Sequence, residues 1–270
     1  MTEPASRMPK GDVIRAAEAL VNQHRSGAGF EPFATVFGIA GVADAYAVQR
    51  EYVLLQMQAR GIGAAGHKIG LTTKRMQAMC GIDSPIAGVV LKDHVHQSGA
   101  SISSSAYGRA GLEFEIAIRL AHDLVPAGNV LGLAEVAEAV DAVCPAIEII
   151  DDRHADYRNL EVLSVIADNA WNAGIVLGDF VRSWPDLAAI EGIVAVDGRQ
   201  TDRGFGRDVL GHPFHPVAWL ASHLARSETP LRAGDIVMTG NLVTTKFPKR
   251  PCTYRFELIG IGPVELSVQP

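Results

Sequence analysis

Leu112-Glu113-Phe114-Glu115-Ile116-Ala117-Ile118-Arg119-Leu120 reads as a β-strand with two unlike faces. Side chains alternate across a strand, so Glu113 and Glu115 share one face while Leu112, Phe114 and Ile116 share the other. Two neighbouring carboxylates raise one another's pKa unless solvent or a cation neutralises them, so the pair marks either a wet sheet face or a metal site. Glu148 weights the second reading. It interrupts the apolar run Cys144-Pro145-Ala146-Ile147-Glu148-Ile149-Ile150, where a carboxylate has to face a partner. Three carboxylates from two strands form a hard, oxygen-rich, partly open site suited to Mg²⁺ or Mn²⁺ rather than zinc. The following Asp151-Asp152-Arg153 reads as an exposed charged turn, with hydrogen bonding to the ligand carboxylates as the alternative.

Around this strand, the chain from about Gly66 onward is a series of short β-rich segments divided by Gly and Pro: HKIGL, AGVVL, AIEII, AGIVLG, IVAVDG, DIVMTG, YRFELIG and PVELSV. Helical patterns interrupt them near 73–80, 132–142, 161–170 and 214–227. This order does not repeat as β-α-β-α, which disfavours a doubly wound parallel sheet. Ahead of it, Val13, Ile14, Ala17, Leu20 and Val21 predict an amphipathic helix over 12–24, and Val42 to Arg60 predict a second. The expectation is an α+β fold, with an N-terminal helical segment over 1–62 and a β-rich body over 63–270, together one structural unit.

Composition limits the partners. Of 270 residues, 48% are hydrophobic, and 24 Lys and Arg stand against 30 Asp and Glu, a net charge of −6. The chain lacks the basic excess that nucleic acid binding uses. Cys80, Cys144 and Cys252 show no C-x-x-C pairing, which fits neither a disulfide framework nor zinc. No signal-peptide core or run of about 18 apolar residues is present. A soluble cytoplasmic protein that binds neither nucleic acid nor membrane is expected.

Other candidates have plainer readings. Gly61, Gly63 and Gly66 satisfy G-x-G-x-x-G, but a helix precedes and a strand-like segment follows, the reverse of a dinucleotide site. His94 and His96 lack a suitable third ligand. His212 and His215 read as a cap and turn, and the three Trp as core or interface. Asp83 lies in the turn-like Gly81-Ile82-Asp83-Ser84-Pro85, and Asp168-Asn169 ends a helical segment. Lys68, in Gly66-His67-Lys68-Ile69-Gly70-Leu71, is an amine in an apolar strand and requires a carboxylate, a ligand or water.

Taken together, DAYAVQRE (44–51), GHKIGLTTKRMQ (66–77), GLEFEIAIRLAHDL (111–124), PAIEIIDDR (145–153), DNAWNAGIVLG (168–178), GHP (211–213) and LRAGDIVMTG (231–240) resemble the 2-keto-4-pentenoate hydratase and 4-oxalocrotonate decarboxylase family, a branch of the fumarylacetoacetate hydrolase superfamily. The resemblance implies a mixed β-roll and a Mg²⁺- or Mn²⁺-dependent enzyme acting on unsaturated 2-oxo acids. It places metal ligands on Glu113, Glu115 and Glu148, proton transfer on Lys68 and Asp83, and substrate contacts on Thr239, Gly240, Asp168 and Asn169. The implied reaction is hydration of a 2-hydroxy-2,4-dienoate in the breakdown of aromatic or related compounds, with decarboxylation of a vinylogous 2-oxo diacid as the alternative. A C–C bond hydrolase is less favoured, since no His–Glu dyad accompanies the metal motif. A non-catalytic scaffold has no use for three buried like charges. Self-association is a further expectation. The chain departs from the family at Pro85-Ile86-Ala87-Gly88, where many hydratases have P-D-[FY]-G, and at Trp171, where a small residue is common.

Overall fold

In the computed structural model, which describes residues 6–126, 131–226 and 229–270, the chain opens with α1 (Lys10–Ser26), α2 (Ala34–Phe37) and α3 (Val42–Arg60). Strand β1 (Ala64–Gly70) follows, then α4 (Lys74–Met79), which Thr73 caps by accepting from the Met76 amide. Next come β2 (Ile86–Leu91), β3 (Val95–Gln97), β4 (Ala100–Ser103), β5 (Ala110–Leu120), α5 (Leu133–Ala139), β6 (Val140–Asp151), α6 (Val162–Ala167) and β7 (Asn172–Leu177). The chain closes with β8 (Glu191–Val196), β9 (Arg199–Phe205), α7 (Phe214–Ala225), β10 (Ile236–Asn241), β11 (Cys252–Leu258) and β12 (Gly262–Gln269).

The strands form two mixed sheets, ordered β2-β1-β10-β5-β6-β7-β3 and β4-β12-β11-β8-β9. The long antiparallel pair β5–β6 occupies the middle of the first. Its apolar face carries Leu112, Phe114, Ile116, Ile147 and Ile149, all fully buried. Phe114 packs against Tyr254 and Phe256 of the second sheet, at ring-centroid distances of 5.9 and 5.7 Å. Burial of side chains this size contributes roughly 1.5–3 kcal/mol each, which fixes which face of β5 turns inward and therefore where its carboxylates go.

The N-terminal helices share the central core through Ala16, Ala17, Leu20, Val48 and Val53. Polar contacts add to this packing. Gln49 donates to the carbonyls of Ala87 and Ile166 at 2.8 and 2.7 Å, and the Tyr46 hydroxyl accepts from the Ala87 amide.

Some boundaries differ from the sequence pattern. The helix expected over 132–142 stops at Ala139, because Val140 to Val143 pair with Leu120 to Ile118 in the central ladder. The one expected over 161–170 ends at Ala167, and three consecutive left-handed residues follow, Asn169, Ala170 and Trp171. The last helix runs to Ala225; position 227, and the N-terminal residues 1–5, lie outside the described residues. The Gly61-Gly63-Gly66 stretch is a helix-to-strand turn, with Gly61 at φ 66° capping α3. No helix among the described residues is long and apolar enough to cross a membrane.

Candidate active site

Register places the three glutamates together. Glu113 on β5 lies directly opposite Glu148 on β6, and Glu115 stands two residues along on the same face. One oxygen from each lies within 4.8 Å of the others, the one cluster among the described residues with geometry to hold an ion. Lys68 reaches the same face from β1, whose partner across β10 is Met238, itself opposite Ala117 of β5. Its Nζ lies 3.2 Å from Glu148 Oε1.

Hydrogen bonds orient each carboxylate. The Gly240 amide donates to Glu115 Oε2 at 2.7 Å, Asn172 Nδ2 to Glu148 Oε1 at 2.9 Å, and Thr245 Oγ1 to Glu113 Oε1 at 2.8 Å. Gly240 has φ 117°, and a Cβ there would come 2.3 Å from Thr72 Oγ1, so glycine is what allows this amide to face the carboxylate. The opposite oxygens, Glu115 Oε1 and Glu148 Oε2, are buried without a hydrogen-bond partner. A buried anionic oxygen is strongly disfavoured without a counter-charge, and three carboxylates against one ammonium leave the cluster two negative charges in excess. Hard carboxylate donors, unfilled acceptors and surplus negative charge fit a hard divalent cation such as Mg²⁺, Mn²⁺ or Ca²⁺.

The titration behaviour follows from the same arrangement. Burial raises the Glu115 carboxyl well above the usual range, and Glu148 and Glu113 raise it further. Burial likewise raises Glu148, with Lys68 opposing. For Lys68, burial pulls the ammonium downward, but Glu148, Glu113 and Glu115 together outweigh it, so the amine stays cationic.

The cluster opens into a cleft of about 640 Å³. Lys68 and Glu113 stand at its polar end with Asn241 and Thr245, while Met76, Ile86, Val162, Trp171 and Phe247 supply apolar wall. Trp171 reaches this wall through the left-handed run at 169–171, with φ 51°, 48° and 59°. Such backbone costs roughly 1–3 kcal/mol per residue; here it delivers an indole to both the cleft and a second cavity of about 310 Å³ behind it.

The remaining sequence candidates take other places. Asp83 is exposed in the loop between α4 and β2 and is not among the residues lining the cleft; its backbone carbonyl accepts from Lys74. Thr239 and Gly240 are not cleft walls either. The Thr239 hydroxyl is buried and donates to the Ile116 carbonyl at 2.8 Å, and Gly240 acts through its amide on Glu115. Asp168 has both oxygens engaged, one with Arg153 and the other with His24 Nε2 at 2.6 Å. It borders the smaller cavity, as does Asn169, whose side chain clamps both backbone groups of Val89. Both brace the strained segment that carries Trp171 and line the smaller cavity, not the larger cleft.

Sequence reading missed Asn172 and Thr245, which orient Glu148 and Glu113. Asn172 sits inside the quoted 168–178 block, one residue past Trp171. Thr245 is 132 residues from its partner and shows no local signal. Asp151-Asp152-Arg153, expected as an exposed turn, holds buried Asp152 and Arg153. Asp152 receives a two-pronged bond from Arg109 and a hydrogen bond from Tyr157, a cleft residue.

The sequence model of the fumarylacetoacetate (FAA) hydrolase C-terminal family matches residues 61–269. The 2-oxo-hept-4-ene-1,7-dioate hydratase of Escherichia coli is 36% identical over 230 residues, 83% of this chain and 85% of that one. A 2-keto-4-pentenoate hydratase of Burkholderia vietnamiensis is 34% identical over 226 residues, 83% of this chain and 84% of that one. Among solved structures, 4-oxalocrotonate decarboxylase from Pseudomonas putida G7, complexed with magnesium and adipate, superposes with a TM-score of 0.90 at 27% identity. That match covers 98% of this chain and all of the other.

Proposed function

Because the chain belongs to the fumarylacetoacetate hydrolase family, we propose that it is a divalent-metal-dependent lyase that adds water to a 2-hydroxy-2,4-dienoate, the enol of a 2-oxo-4-enoate, through the conjugated 2-oxo-3-enoate formed by protonation at C5, to give a 4-hydroxy-2-oxo acid. The observation that carries this reading is the buried Glu113, Glu115 and Glu148 cluster, with two unfilled oxygens beside Lys68 at the head of an otherwise largely apolar cleft. The hydratase names of the E. coli and B. vietnamiensis relatives support it. Breakdown of aromatic or related compounds is the corresponding setting.

Glu113, Glu115 and Glu148 would hold Mg²⁺ or Mn²⁺, which supplies positive charge against the negative charge that develops on a 2-oxo oxygen. Lys68 remains charged beside them. It is therefore a hydrogen-bond and proton donor, suited to stabilise enolate character and to protonate C3 as water adds at C4. Asn172, Thr245 and the Gly240 amide keep the carboxylates in one orientation, which removes reorganisation during the reaction. The apolar wall with Trp171 excludes bulk water from the carbon chain, so only a positioned water adds.

Decarboxylation of a vinylogous 2-oxo diacid is the second reading, favoured by the full-length likeness to 4-oxalocrotonate decarboxylase. The same site serves it, with Lys68 protonating the carbon from which CO₂ leaves. We also place the enzyme in the cytoplasm as a self-associating protein whose partner is a small 2-oxo acid, with neither nucleic acid nor membrane involved. The net charge of −6 disfavours nucleic acid, and exposed Leu54, Met79 and Ile259 favour self-association.

An ultraviolet assay on 2-hydroxypenta-2,4-dienoate and on 2-oxo-3-hexenedioate, with Mg²⁺ or EDTA and product masses, separates the readings. Metal-dependent gain of water establishes the hydratase, and loss of CO₂ the decarboxylase. Absence of both reactions in metal-loaded protein overturns the proposed substrate class.

A further inference from the structure

The charged side chains lining the cleft are Lys68, Glu113 and Arg75. The first two belong to the carboxylate cluster. Arg75, in the first turn of α4, does not. It is exposed and lines the cleft, and no ion pair or hydrogen bond engages it among the described residues. Its neighbour Lys74 provides a contrast, since it donates to Gln77 and to the Asp83 carbonyl and does not line the cleft. The rest of the lining is mainly apolar, with Leu71, Met76, Ile86 and Trp171 among it.

A cation apart from the carboxylate cluster, in a cleft with otherwise mainly apolar lining, fits a ligand that carries a second anionic group on an apolar chain. We propose that the substrate is a 2-oxo diacid and that Arg75 binds its distal carboxylate, a specificity role that rests on the reading of the glutamate cluster as the 2-oxo acid end. A guanidinium presents a planar fork of donors that matches a carboxylate in two-pronged fashion. A monoacid ending in methyl would leave this cation unused at the end of an apolar wall. The diacid supplies its counter-charge there, and the chain spans the apolar stretch.

The test is binding, independent of turnover. Mg²⁺-loaded protein is titrated by calorimetry with 2-oxoheptanedioate and with 2-oxoheptanoate, which have the same carbon count and differ at the distal end. Wild type is expected to prefer the diacid by roughly tenfold or more, as a charge-assisted pair at a partly solvated site provides, with the preference shrinking as salt rises. Arg75→Met should collapse the preference, Arg75→Lys should restore part of it, and Lys74→Met should retain it. Equal affinities in wild type, or a preference that survives in Arg75→Met, overturn the assignment. If neither ligand binds the Mg²⁺-loaded protein, the 2-oxo acid reading fails first and this inference falls with it. Failure to turn over a dienoate, with the diacid preference intact, contradicts only the proposed reaction.

Discussion

Glu113 and Glu148 face one another directly across the β5–β6 ladder, a pairing of like charges in the centre of a sheet. Opposed like charges destabilise a ladder, and here a third carboxylate, Glu115, lies within reach of both. Apolar residues on the reverse face anchor the two strands, so the repulsion cannot relax by moving them apart. The cluster is therefore a place where stability is given up for ion binding.

Removing one charge should show this. Glu148→Gln, without metal, is expected to melt several degrees above metal-free wild type, because Lys68 keeps the charges of Glu113 and Glu115 as counter-charges while the opposed pair is removed, and about 1 kcal/mol corresponds to roughly 2–4 °C in a chain of about this size. Addition of Mg²⁺ should reverse the order, stabilising wild type and not the variant. Thermal melts with EDTA and with Mg²⁺ test it, and a variant that melts lower in EDTA counts against the repulsion argument.

The pH dependence of that difference has a definite sign. Glu148 is raised from 4.5 to about 7 in the fold, chiefly by burial. A carboxyl raised on folding contributes stability below its unfolded pKa and loses it as pH rises through the folded value. Metal-free wild type should therefore lose stability relative to Glu148→Gln as pH rises from about 4.5 to 7. Melts across this range, with the variant as reference, report the loss of Glu148 together with its effect on Glu115, and a difference that does not change with pH refutes the assignment.

How much of this was legible beforehand depended on range. The two faces of β5 followed from alternation alone, and the odd Glu148 in an apolar strand marked the partner strand. The turn at Gly61 was readable because a helix precedes it. By contrast, Asp168 and Asn169 read in sequence as the end of a helical segment, and only tertiary contacts with Arg153, His24 and Val89 show that they brace the strained run at 169–171. Thr245 was invisible because its role depends on pairing across 132 positions. The 132–142 helix was overextended because Val140-Asp141-Ala142 fits either period until the ladder claims it.

Asp168→Asn separates support from ligand. Arg153 is buried and relies on this carboxylate. Losing one partner of a buried pair costs about 3–5 kcal/mol, so the variant should melt markedly lower. Its Mg²⁺ affinity, measured calorimetrically below the transition, should stay within a few-fold of wild type. Loss of metal binding in folded protein would move Asp168 into the ion site.

Lys68→Ala divides chemistry from metal binding. Turnover should fall by about 10² or more, in line with loss of a positioned proton donor, while Mg²⁺ affinity holds or rises because a cation leaves the cluster. Steady-state kinetics with a metal titration checks both. Unchanged kcat removes Lys68 from the reaction.

Gly240→Ala probes the glycine beneath Glu115. With φ 117° and a Cβ that would sit 2.3 Å from Thr72 Oγ1, the substitution should cost at least about 2 kcal/mol. It should also weaken Mg²⁺ binding by displacing the amide that orients the carboxylate. A near-neutral melt would show that the end of β10 adapts without cost.

The central claim is that Glu113, Glu115 and Glu148 together hold one divalent cation. Its most direct measurement is a Mn²⁺ titration of chelator-stripped protein, followed by electron paramagnetic resonance of the free ion. One site per chain, displaced by excess Mg²⁺ and absent in folded Glu115→Gln, is the predicted result. Mn²⁺ binding that is undiminished in Glu115→Gln, or absent from wild type, contradicts it.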